Sequence, residues 1–295
     1  MTNIFGVPIT ALLGQLVVGL VNGCFYAMLS LGLSIIFGML DIVNFAHGAF
    51  YMLGAMLTWF ALDQFGISYW WCLLLVPLIL VGAGALVEKS LLRWIYLIDR
   101  SYGLLLTFGL TLVIEGLLRY KYGVSGRPYA IPEAFEGAFN LGFMYLPKYR
   151  AWVVGATLLV SLTTWLVIER TPLGAYLRAA TENPTLVRAF GINVPAMITI
   201  TYAVGVGLAG LAGVLAAPAI QISPLMGSNL IIVVFAVVVI GGMSSILGSI
   251  VTGLGLGLIE GLSKVFYPQA SSTVVFFIMA IVLLLRPAGL FGRER

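Results

Sequence analysis

Asp41, Asn44 and His47 interrupt an otherwise apolar region that runs from residue 11 to residue 61. They lie in DIVNFAHG, Asp41 to Gly48, and His47 is the chain's only histidine. An ionisable group inside membrane-like sequence is a candidate for a substrate path or its gate. A second reading is structural: where a helix breaks at membrane depth, polar side chains satisfy the freed backbone groups. A proton relay would want more titratable partners than these. A single histidine, with no cysteine or carboxylate at ligand spacing, argues against a zinc site or a catalytic triad.

A second break, GGMSSILGS, interrupts the apolar region from 229 to 262 and contributes Gly242, Ser244 and Ser245 to the candidate path or gate. FGMLDI in the first break and GGMSSI in the second place Gly-Met and Ile in register. Paired, glycine-interrupted segments are the sequence sign of transporters built from internal repeats. Two further carboxylates, Glu115 and Glu260, stand four residues before Arg119 and Lys264, the spacing of helical ion pairs. GLIEGLSK, Gly257 to Lys264, has the wrong spacing for a phosphate-binding loop, so this chain does not hydrolyse ATP by that route.

The longest polar stretch in the second half runs from Glu169 to Asn193. Asn183 followed by Pro184 predicts a helix start, since Asn caps free N–H groups and Pro at the first helical position loses no hydrogen bond. Gly191 can end it. Leu186 and Phe190, four apart, share one face while Arg188 points elsewhere. A helix of about two turns is marginal in water and needs a surface to dock on.

The elements that must position these groups follow from composition. Of 295 residues, 61% are hydrophobic and 9% charged, with a mean hydropathy of +1.09, far from the roughly 25% charged of a soluble domain. The segments are apolar all round rather than alternating, which excludes a β-barrel and predicts an all-α polytopic membrane protein. Spans are expected near 70–87, 103–119, 152–168, 195–217 and 272–286, and the two broken regions bring the total to eight to ten membrane segments. No composition shift marks a second domain, so residues 1–295 read as one transmembrane domain. The net charge of +4 reflects orientation, not nucleic-acid binding. Lys89, Arg93 and Arg100, then Arg170, Arg178 and Arg188, then Arg286, Arg293 and Arg295 place three loops inside. The 120–150 loop falls outside despite Lys121, Arg127, Lys148 and Arg150. The side of the N-terminus stays open, although MTNIFGVPIT lacks the positive region of a cleaved signal, so the first apolar segment is expected to remain as a span. Cys24 and Cys72 lie in apolar segments and read as small hydrophobes.

SLGLSIIFGMLDIVNFAHGAFYMLGA, Ser30 to Ala55, resembles the N-terminal signature of the permease subunits of branched-chain amino acid ABC importers. The resemblance extends through TPLGAYLRAATENPTLVRAFGIN, VVIGGMSSILGSIVTGLGLG and the closing LRPAGLFG, nearly the whole chain. It implies a non-enzymatic transport subunit of the bacterial inner membrane, without a cofactor of its own. The implied partners are a second homologous permease, two ATP-binding subunits that hold ATP and Mg, and an extracytoplasmic solute-binding protein. It makes residues 171–192 the cytoplasmic coupling segment, with Arg178, Thr181, Glu182, Asn183, Leu186, Arg188, Phe190 and Gly191 facing an ATP-binding subunit. The importers' general pattern there is E-A-A with a distant Gly; Arg178 replaces the acid before Ala179 and Ala180. Branched-chain amino acids, other amino acids, urea and amides are all carried in the family. An ATP-independent secondary transporter or channel for a small neutral solute is the alternative, and it would need an ion site of its own, for which Asp41 and His47 are the candidates.

Overall fold

The computed structural model describes residues 3–4, 7–40, 43–95 and 100–292. Among them the helices are α1 (Ile9–Leu40), α2 (Ala46–Phe65), α3 (Tyr69–Val87), α4 (Arg93–Ile95), α5 (Arg100–Tyr122), α6 (Lys148–Arg170), α7 (Pro172–Glu182), α8 (Pro184–Ala189), α9 (Val194–Ala216), α10 (Met226–Gly241), α11 (Ile246–Phe266) and α12 (Val274–Leu285). A π-helical turn, Glu88–Leu92, joins α3 to α4. Among the described residues strands form two small antiparallel pairs, β1 (Asn3–Ile4) with β2 (Val7–Pro8) and β3 (Ala138–Asn140) with β4 (Tyr145–Pro147). Six described helical spans are long and apolar enough to cross a membrane, and α10 and α12 are shorter apolar helices. The protein is an all-α, multi-pass membrane protein.

The centre is built from α1 and α9, each mostly buried, while α3, α5 and α6 turn most of their side chains outward. Outward Leu and Phe cost nothing in lipid, so association cannot rest on hiding them; it rests on close packing of small residues. α1 lies along α11 through Gly19 and Gly23 against Gly253, Gly257 and Gly261, where an added Cβ at Gly23 would stand 3.0 Å from the Gly253 carbonyl oxygen. The backbones of α1 and α9 meet at Gly32 and Gly205, and those of α2 and α9 at Gly54 and Gly210.

Contacts sort the connections into two ends. At one end lie residues 88–95, the start of α9 with the polar stretch before it, the 242–245 turn and the tail. Leu290 N–H donates to the Ile240 carbonyl at 2.8 Å, and Gly242, at φ 100°, packs against Gly292. At the opposite end the Arg127 backbone pairs with Ile222, its guanidinium sits 4.5 Å over the Trp59 ring, and Trp152 stacks on Phe135 at 5.2 Å. Rings of this kind collect where apolar and wet regions meet. Buried Tyr129, in the same loop, has its phenol pushed up by desolvation and then by Cys72 and Tyr69, and so stays neutral. Gly14 of α1 lies beside Met144. The N-terminal end of α1 therefore belongs with the 120–150 loop, a question the sequence leaves open.

Candidate functional site

α1 continues to Leu40, yet α2 restarts beside Leu29 and Gly32: the His47 Nε2 donates to the Leu29 carbonyl at 3.0 Å. Eight residues of helix separate Gly32 from Leu40, about 12 Å. Val43 to Phe45 and the start of α2 thus lie in the protein interior, and irregular backbone at that depth is tolerated because protein surrounds it. Asn44 and His47 are buried. The Asn44 amide donates to the Tyr202 hydroxyl of α9 at 3.2 Å, and the Phe45 N–H donates to Thr107 Oγ1 of α5 at 3.2 Å. Asn44 Oδ1 and His47 Nδ1 are left without a partner among the described residues. A carbonyl only accepts, so the His47 proton sits on Nε2 and Nδ1 is a bare acceptor. Both uncommitted atoms therefore call for a donor. Asp41 lies outside the described residues.

The second break is built differently. Ser245 Oγ caps α11 by accepting from Gly248 N–H at 3.0 Å, Gly242 supplies the left-handed turn, and Ser244 is exposed beside Gly38. α1 stands between the two groups: its Gly32 faces His47 and α9, while Ser34 reaches the Met243 carbonyl at 3.5 Å. Asn44 and His47 come together; Gly242, Ser244 and Ser245 form a separate turn at one end of the protein.

The two ion-pair spacings diverge. Glu260 meets Lys264 at 2.6 Å and also accepts from the Tyr26 hydroxyl at 2.6 Å. Glu115 does something else. It is buried, accepts from the Ser228 hydroxyl on α10, and leaves Arg119 exposed. The spacing Thr107, Thr111, Glu115 puts three polar groups on one helical face, a signal present in the sequence and not used there.

In the polar stretch, Asn183 Oδ1 accepts from Leu186 N–H at 2.9 Å and opens α8, and Gly191 leaves it at φ 80°. The preceding residues, expected only as polar sequence, form a second helix, α7, because Pro172 takes its first turn and Gly174 packs against the Ile168 backbone. Val187 is buried with Ala180 and Val194, which ties α7, α8 and α9 into one body. Leu186 and Phe190 are 54% and 76% exposed. This small unit thus hides one apolar face and leaves a second uncovered. Arg178 pairs with Glu169 at 3.2 Å, both about half exposed, a contact of little net value. Thr181 donates to the Arg178 carbonyl, and Glu182 and Arg188 are exposed.

One buried cluster has no signal in the sequence. Glu88, from the π-helical turn, is 1% exposed and accepts from Thr199 Oγ1 of α9 at 2.6 Å; Arg93 donates to Thr199 at 3.1 Å and lies 3.7 Å from Glu88. Thr199 and Tyr202 are three residues apart on α9, so one short length of helix carries both this cluster and the Asn44 contact.

A family model described as branched-chain amino acid transport system, permease component, matches residues 15–284. The high-affinity branched-chain amino acid transport system permease protein LivH of Escherichia coli K12 is 30% identical, over 95% of this chain and 96% of its own. BraD of Pseudomonas aeruginosa, of the same description, is 30% identical over the same shares. The LivM permease protein of Escherichia coli K12 is 27% identical over 92% of this chain and 68% of its own. No solved structure matches.

Proposed function

The chain belongs to the branched-chain amino acid transport system permease family, and from that premise we propose that it is the membrane-spanning subunit of an ATP-driven importer carrying branched-chain or related small amino acids across the bacterial inner membrane. It works beside a second, related permease, a pairing that similarity to both LivH and LivM supports. Two ATP-binding subunits hold ATP and Mg, and an extracytoplasmic protein delivers the solute. The observation that carries the reading is the α7–α8 unit, whose Leu186 and Phe190 stay uncovered while Val187 anchors it to α9.

Closure of the ATP-binding subunits pushes on Leu186 and Phe190. Because α7, α8 and the start of α9 share buried apolar contacts, the push moves α9 as a body. α9 in turn holds Glu88 through Thr199 and Asn44 through Tyr202. The first three turns of α9 thereby link the pushed surface to the break between α1 and α2. ATP supplies the shift through its preference for the closed state, since a ligand moves an equilibrium only by its difference in affinity.

The test is uptake of radiolabelled leucine into vesicles reconstituted with this chain, its cognate permease, ATP-binding subunits and binding protein. Uptake that requires ATP and all four partners is the expected result. Uptake by this chain alone, driven by an ion gradient, would replace the importer with a secondary transporter.

A further inference from the structure

α5 buries an unusual face. Gly103, Thr107, Thr111 and Glu115, each four residues from the next, are buried, while Leu104, Leu105, Phe108, Leu112, Val113 and Leu117 are exposed. Beside this stripe Leu106, Leu110, Ile114 and Leu118 pack against the core, so the inward side of α5 carries one apolar row and one row of hydroxyls ending in a carboxylate, and packing alone does not require the second. An ionisable side chain within a span is costly, and where it faces the bundle interior it marks a substrate or ion pathway. The stripe meets the break before α2 at one end and α10 at the other. Thr107 binds the 43–45 break through Phe45 N–H at 3.2 Å, Gly48 of α2 packs against Gly227 of α10, and Ser228 of α10 donates to Glu115.

We propose that the α5 stripe lines the translocation path and that Glu115, with Ser228, is the station that receives the α-ammonium group of the passing amino acid. The proposal rests on the importer reading above and names the substrate chemistry of its path. Two things favour a cationic donor as the occupant. The Ser228 hydroxyl occupies one Glu115 oxygen, Oε1, and leaves the other without a hydrogen bond to the described residues. The unpartnered buried atoms of the adjoining break, Asn44 Oδ1 and His47 Nδ1, are acceptors as well. An ammonium offers three donors and a charge that a buried carboxylate favours over any neutral group. Ser228 lies in the first turn of α10, so a purely structural Glu115 would serve the positive end of that helix.

The experiment separates these roles in the assembled complex in lipid nanodiscs, with a hydrophobic carbodiimide as the carboxylate probe and mass spectrometry of the α5 peptide as readout. Labelling of Glu115 that falls with added leucine, and not with 4-methylpentanoate, the same skeleton without the amine, is the expected result. Absence of labelling, or equal protection by both compounds, overturns the proposal. In vesicles, Glu115→Gln keeps an acceptor for Ser228 and lowers leucine uptake at least about tenfold, while Glu115→Asp retains more activity than Glu115→Gln. Uptake by Glu115→Gln equal to wild type overturns the site. A wild-type complex that takes up no leucine would sink the importer reading itself, whereas leucine uptake without protection sinks the Glu115 station alone.

Discussion

The Asn44 amide and the Tyr202 hydroxyl, 158 residues apart in sequence, meet at 3.2 Å and fasten the break between α1 and α2 to the helix that continues the α7–α8 unit. Tyr202→Phe removes the acceptor and leaves a buried N–H pair unsatisfied, at a cost of about 1–3 kcal/mol. The apparent melting temperature of the purified complex is expected to fall, and leucine uptake to fall with it. An unchanged melting curve would mean that the contact carries no stability.

Thr199→Val tests the neighbouring cluster. It strips the hydrogen bond from the buried Glu88 carboxylate and leaves only half-exposed Arg93 nearby. A loss of about 1–3 kcal/mol is expected. Thr199→Ser, which keeps the hydroxyl, restores most of it. Thermal unfolding of the two variants side by side decides the matter; a Thr199→Val protein as stable as the parent, or one no less stable than Thr199→Ser, would show that the hydroxyl contributes nothing there.

At the α7–α8 unit, exposure separates docking from folding. Phe190→Ala and Leu186→Glu alter exposed side chains, so both variants should purify with unchanged melting temperature. Their ATP-driven uptake is expected to drop at least about tenfold, the equivalent of 1.4 kcal/mol in the coupled step. Val187→Ala does the reverse, loosening the buried cluster by about 1 kcal/mol or more. Full transport by the first two variants would remove the case for a contact there.

The glycines of α11 make a paired stability test. An added Cβ at Gly257 overlaps the backbone of Gly23 in α1, whereas at Gly255 nothing lies within 4 Å. Gly257→Ala should therefore lower the yield of folded protein on size-exclusion chromatography, and Gly255→Ala should match wild type, helped slightly by the better helix propensity of Ala. The same defect in both would point to insertion rather than to the α1–α11 contact.

What the sequence alone determined is local in origin. Runs of apolar residues long enough to satisfy their own backbone in lipid set the spans, DIVNFAHG and GGMSSILGS mark the breaks, and the Asn183–Pro184 pair opens α8 because capping depends on neighbours within one turn. Pro172, preceding a stretch with no apolar run, carried the same signal for α7 more weakly. Even the polar face of α5 was present as a four-residue spacing.

The tertiary structure decided what each buried polar group meets. Glu115 chooses Ser228, 113 residues away, over Arg119 one turn along its own helix. Glu88 finds Thr199, 111 residues away, and the two breaks fall on different faces of α1. The reason is geometric. In lipid, apolarity inserts a helix without specifying its rotation, and that rotation is set by where glycine backbones approach closely enough to pack; only then do side chains distant in sequence share a buried space.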